Sequence, residues 1–179
     1  MLRFISYIIS PIFFLLFYIV LCIFHVAQVI AFRLFGYQAH KNVVDGLNYT
    51  LMQMLWLLGA RASATYSEEL MEGRAYIIVA NHQSLYDIVG IYRYMRACHA
   101  KFVSKIELGK GIPSISYNLK HGGSVLIDRK DNKQAISALI NFGKRLEKEQ
   151  RSACIFPEGT RSKDGKLKTF SVGGLSTLM

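Results

Sequence analysis

The segment Asn81-His82-Gln83-Ser84-Leu85-Tyr86-Asp87 places an imidazole five residues before a carboxylate. An unperturbed imidazole titrates near pH 6.5, so at neutral pH it is mostly free base and can take a proton from an attacking hydroxyl. Asp87 can hold one ring nitrogen and stabilise the imidazolium that forms. The same carboxylate has a second use. Ser84-Leu85-Tyr86-Asp87 fits a capping pattern in which Asp87 accepts from the Ser84 amide, and both uses stay open. A nucleophilic Ser84 would lack the G-x-S-x-G elbow, and capping explains that residue better.

A second segment, Phe156-Pro157-Glu158-Gly159-Thr160-Arg161-Ser162, forms a charged loop suited to an anion. Arg161 can grip a phosphate through two parallel hydrogen bonds. Gly159 lets the backbone turn sharply or approach a ligand closely. Lys101, Lys105 and Lys110 bracket one apolar run and Arg129 ends another. Cations at successive strand ends can make one anion site. Asp164-Gly165 reads as an ordinary turn.

These residues need elements to hold them. Short β-prone runs at 75–80, 101–104, 124–128 and 153–156 alternate with helical patterns at about 85–95, 113–120 and 133–149. That alternation predicts an α/β fold, a mixed sheet flanked by helices. Ile136, Leu139, Ile140 and Leu146 approximate one apolar stripe of the last helix, with Asp131 and Gln134 as a capping box.

The chain has 179 residues and a formal net charge of +10, which favours an anionic partner. No groove-reading motif accompanies the charge, so nucleic acid is not expected. Before residue 60 the basic residues are Arg3, Arg33 and Lys41. Phe4 to Phe32 carries no charge and would extend about 43 Å as one helix, more than the ~30 Å of bilayer hydrocarbon. Pro11 offers a break, leaving Ile12 to Phe32 to span about 31 Å. A retained membrane anchor is expected, whether it spans or dips in from one side. Leu47, Leu51, Met54, Leu55 and Leu58 predict a second helix, either amphipathic at the membrane with Trp56 at the interface or packed on the domain. The basic residues after the anchor place the domain on the cytoplasmic side of an inner or cytoplasmic membrane. The organisation read from this is membrane-anchoring helices over 1–60, a linker over 61–73 and a catalytic domain over 74–179. Cys22, Cys98 and Cys154 show no metal or disulfide spacing, and Cys154 reads as core.

The two segments, together with Phe102-Val103-Ser104-Lys105-Ile106-Glu107-Leu108 and Pro113, resemble the first three motifs of the glycerophospholipid acyltransferases. The likeness is greatest to the 1-acyl-sn-glycerol-3-phosphate acyltransferases, and it covers roughly residues 75–170. It implies His82 as general base with Asp87 as its partner. Lys105, Arg129, Glu158, Gly159, Thr160 and Arg161 would hold the substrate. It implies acyl transfer from acyl-CoA or acyl carrier protein to the sn-2 hydroxyl of lysophosphatidate at a phospholipid membrane, with no metal or other cofactor. Ser116 stands near a place where the family usually has Gly. The family's Phe-Lys-x-Gly becomes Phe170-Ser171-Val172-Gly173, and the domain is expected to be shortened at its C-terminus. An impaired fragment that binds anionic lipid, or an acyltransferase for another lysophospholipid, are the alternatives.

Overall fold

A computed structural model describes residues 2–67, 70, 71 and 73–178. Four short strands, β1 (Ile77–Val79), β2 (Lys101–Lys105), β3 (Val125–Ile127) and β4 (Ala153–Ile155), form one sheet in the order β1-β4-β2-β3. All the described pairings are parallel, which refines the expected mixed sheet to a parallel one. Parallel strands need crossover helices, and these cover both faces.

Side chains alternate across a strand, so neighbouring β4 residues feed different cores. Cys154 lies between Ile78 and Phe102 in register, and all three are buried against Ile88, Ile91 and Tyr92 of α2 (Tyr86–Tyr94). Ala153 faces the other way and packs with Val103, Val125, Phe142 and Leu146. The last two belong to α4 (Asn132–Lys148), whose buried face is Leu139, Phe142 and Leu146. Ile136 and Ile140, predicted for that stripe, are exposed instead. Asp131 caps α4 by accepting from the Gln134 amide at 3.0 Å. Gln134 does not close the box on Asp131; its side-chain oxygen accepts from the Asp128 amide at 2.9 Å.

The hydrophobic N-terminus is a helical hairpin. Helix α1 (Leu2–Met54) runs straight through Pro11 and reverses at Gly36, where φ is +78°. The expected break at Pro11 is therefore displaced. Left-handed φ is cheap only for glycine, and a Cβ at Gly36 would meet nothing within 4 Å, so conformation rather than space requires it. Phe13 and Leu21 of the first arm pack on Leu47, Leu51, Met52 and Met54 of the second. Val89 of α2 joins them, with Ile115 of α3 (Ile115–His121) alongside. Leu47, Leu51 and Met54 thus take the core option left open above. The hairpin stacks on α2 and α3, which stack on the sheet, with α4 and α5 (Gly173–Leu178) on the far side. A 3₁₀ turn at Leu55–Leu58 leaves Trp56 exposed, with the Arg61 guanidinium 5.3 Å from its ring centre.

Candidate active site

The β1–β4 pairing puts the ends of those two strands side by side, so the His82 and Arg161 segments emerge as neighbours. Two contacts fasten them, and a third ties Glu158 to its own returning loop. Glu158, buried, accepts from the His82 amide at 2.7 Å with one carboxylate oxygen and from the Lys168 amide at 3.1 Å with the other. The Ser162 amide donates to the His82 carbonyl at 2.8 Å. Glu158 thereby serves as a bracket between segments, with both oxygens already engaged by backbone. The Ser162 hydroxyl and the Lys166 amide hold Asp164 below the usual carboxylate range and shape the rest of the loop.

Both uses predicted for Asp87 occur at one atom. Its Oδ2 lies 2.8 Å from His82 Nδ1 and also accepts from the amides of Gln83 at 2.7 Å and Ser84 at 2.8 Å. The carboxylate caps the turn into α2, and because it is fixed there it holds the imidazole. An Nδ1–H directed at Asp87 leaves the lone pair on Nε2. Phe156 stacks on the imidazole with ring centres 4.2 Å apart and planes 19° apart, which restrains it further. The Ser84 hydroxyl accepts from the Tyr86 amide at 3.1 Å, in keeping with a capping role.

A cavity of about 700 Å³ opens at this end of the sheet. His82, Lys105, Arg129, Glu158, Gly159, Thr160 and Arg161 all line it. Asp87 stands behind the imidazole. Arg129 reaches past the end of β2 and donates to the Gly159 carbonyl, and its guanidinium lies over Gly159, whose φ is +67°. A Cβ there would meet Arg129 Nη1 at 3.4 Å. Beyond the polar mouth the walls turn apolar, with Val103, Leu108, Ile127, Ile136, Leu139 and Ile155. The exposed Ile136 thus belongs to the cavity wall rather than to the core. Of the cluster Lys101, Lys105 and Lys110, only Lys105 reaches the cavity; Lys101 begins β2, at the opposite end of the sheet.

Sequence reasoning missed the stacking role of Phe156, although the residue stood in the quoted segment. It also missed Thr169 and Ser171, which line the cavity after the loop returns; no spacing signal marks them. Among the described residues, no three His, Cys, Asp or Glu side chains converge as a metal-binding set.

An acyltransferase family profile matches residues 61–179. A 1-acyl-sn-glycerol-3-phosphate acyltransferase of Helicobacter pylori is 42% identical over 95 residues, 51% of this chain and 38% of that protein. A protein of the same name from Borreliella burgdorferi is 32% identical over 121 residues, 68% of this chain and 47% of its own length. The chain therefore matches less than half the length of either relative. The crystal structure of the 1-acyl-sn-glycerophosphate (LPA) acyltransferase PlsC from Thermotoga maritima superposes with a TM-score of 0.78 at 24% identity, covering 99% of this chain and 70% of that one. At that identity the superposition speaks for the fold. Since the profile covers the sheet, the cavity and both polar segments, the chain belongs to the acyltransferase family.

Proposed function

We propose that the protein moves a fatty acyl group from acyl-CoA or acyl carrier protein to the sn-2 hydroxyl of 1-acylglycerol-3-phosphate, giving phosphatidate. One observation carries this reading: the carboxylate-held imidazole of His82 and the cations Lys105, Arg129 and Arg161 line one cavity whose far walls are apolar. The relatives' names supply the acceptor. A phosphomonoester carries more charge than a zwitterionic headgroup and fits three cations better. His82 Nε2 takes the proton of the sn-2 hydroxyl as its oxygen attacks the thioester carbonyl, and Asp87 stabilises the imidazolium. The tetrahedral intermediate collapses with cleavage of the carbon–sulfur bond. The departing thiolate takes the proton back from His82, leaving an ester, a free thiol and the enzyme unchanged.

The reaction would take place at a phospholipid membrane. Phe14, Leu15, Tyr18, Ile23, Leu34 and Phe35 are all exposed on the first arm of α1, an apolar side that a lipid surface would cover. The domain after the hairpin carries most of the net charge of +10, which favours the anionic cytoplasmic face of the inner membrane.

Purified protein in phospholipid vesicles, given lysophosphatidate and an acyl thioester, should release free thiol and form phosphatidate in equal amounts. Binding to anionic vesicles without turnover of any donor would instead favour a lipid-binding protein. A panel of donors and lysophospholipid headgroups sorts the remaining alternatives.

A further inference from the structure

We infer that Gln28 and His25, inside the hydrophobic hairpin, are positioning residues for the acceptor wall of the cavity and act through Ser114. The inference rests on the function proposed above for its kinetic consequence, not for its geometry. Ser114 is fully buried and has φ +65°, a backbone conformation costly for any residue with a side chain. Glycine would adopt it freely. Serine keeps the cost and adds a hydroxyl, and that hydroxyl accepts from Gln28 Nε2. The Ser114 amide donates to His25 Nδ1 at 3.2 Å, and its carbonyl accepts from the Asn118 amide at 2.9 Å to start α3. All three polar groups of Ser114 are engaged, two of them by α1. Gln28 is itself fully buried, with its amide nitrogen committed to this one bond.

The loop before Ser114 has little slack. The Ser116 hydroxyl donates to the Leu108 carbonyl at 2.9 Å and accepts from the Ile112 amide at 3.0 Å, which cinches the segment. A Cβ at Gly109 would come within 2.7 Å of Leu126 Cδ1, so the loop is pressed onto β3. Lys105 and Leu108, at the other end of that loop, line the cavity. A displacement at Ser114 therefore passes to the wall where the acceptor phosphate and its chain would rest. The hairpin is then a part of the site as well as an anchor.

The test compares wild type with Gln28→Met, Ser114→Ala, Ser114→Gly and the double variant Gln28→Met/Ser114→Ala. The readouts are kcat, separate KM values for lysophosphatidate and donor, thermal midpoint, and deuterium exchange at amides 106–112. Losing one neutral hydrogen bond should raise the acceptor KM about 3–10-fold, with donor KM and kcat changed less. The double variant should be no worse than Gln28→Met, because both substitutions remove the same bond. Ser114→Gly should raise the acceptor KM while holding the thermal midpoint, since it relieves the backbone as it removes the hydroxyl. Exchange at 106–112 should quicken in every variant. Unchanged acceptor KM and exchange in folded variants, or additive effects in the double variant, would overturn the inference. If Gln28→Met does not fold, Ser114→Gly and His25→Ala decide it. If wild type has no turnover, the proposed function fails on its own, and exchange alone decides whether the loop is positioned from α1.

Discussion

Lys101 and Lys105 stand four residues apart at the two ends of β2, and their surroundings could hardly differ more. Lys105 is exposed at the cavity mouth with Arg129 and Arg161, where water and a ligand can reach all three. Lys101 is 3% exposed, its ammonium 5.3 Å from the centre of the Tyr37 ring, which the Arg151 guanidinium also approaches at 4.2 Å. His99 completes that end, with Nε2 2.7 Å from the Tyr37 hydroxyl. Burial first, then Arg151 and Lys41, push Lys101 down to about 7. Burial, then Lys101, pushes His99 down to about 3. One end keeps its charges available for an anion, whereas the other suppresses them within the packing between hairpin and sheet. Residue type did not decide which lysine does which; position along the strand did.

The largest effect should come from the open end. His82→Ala removes the proposed base and should lower kcat/KM for phosphatidate formation by ~10²–10⁴, about 3–5 kcal/mol, with little change in thermal midpoint. Wild-type turnover in that variant would remove the imidazole from the mechanism. Arg161→Ala should come next, raising the KM for lysophosphatidate by ~10–100-fold, as expected for a lost charge-assisted hydrogen bond of about 1.5–3 kcal/mol. A neutral lysophospholipid analogue should be far less affected, and equal losses for both acceptors would count against phosphate recognition by Arg161.

The buried end should answer in stability instead. Lysine is normally protonated up to about pH 10.5, so below pH 7 both folded and unfolded chains carry this charge and the fold bears the whole cost of burying it. Between about 7 and 10.5 the folded chain releases the proton while the unfolded chain retains it, so stability rises with pH. From pH 7 to pH 9 the gain should be about 2 kcal/mol in urea unfolding. Lys101→Met should flatten that rise and leave the acceptor KM unchanged. A pH-independent wild-type stability would mean that Lys101 is charged in place, and the contrast with Lys105 would weaken.

The contrast also shows what the sequence could disclose. Strand ends carry local signals, so the four strands and the two polar segments were legible, as was the His82–Asp87 pair from its spacing. Grouping Lys101 with Lys105 and Lys110 failed because a linear cluster of lysines says nothing about which end of the sheet each occupies. The expected break at Pro11 did not occur, and the chain turns back at Gly36 instead, with Phe13, just past the proline, packed on the second arm. Asp131 was readable as a cap, yet Gln134 turned to Asp128, a choice set by the β3–α4 connection. As polar residues in an apolar helix, Gln28 and His25 suggest a bundle-facing, interfacial or functional place, but name no partner. Their partner Ser114 is 86 residues from Gln28, beyond the reach of any local pattern.

Glu158 carries a further consequence. Because one carboxylate holds both the His82 amide and the Lys168 amide of its own loop, the imidazole segment and the Arg161 loop are tied to each other. On the proposed function, acceptors of different size would be accommodated by the facing surfaces, the segment ahead of α3 and the short helix α5. Changes on those surfaces would then alter which lipid fits while leaving the proposed reacting groups in place.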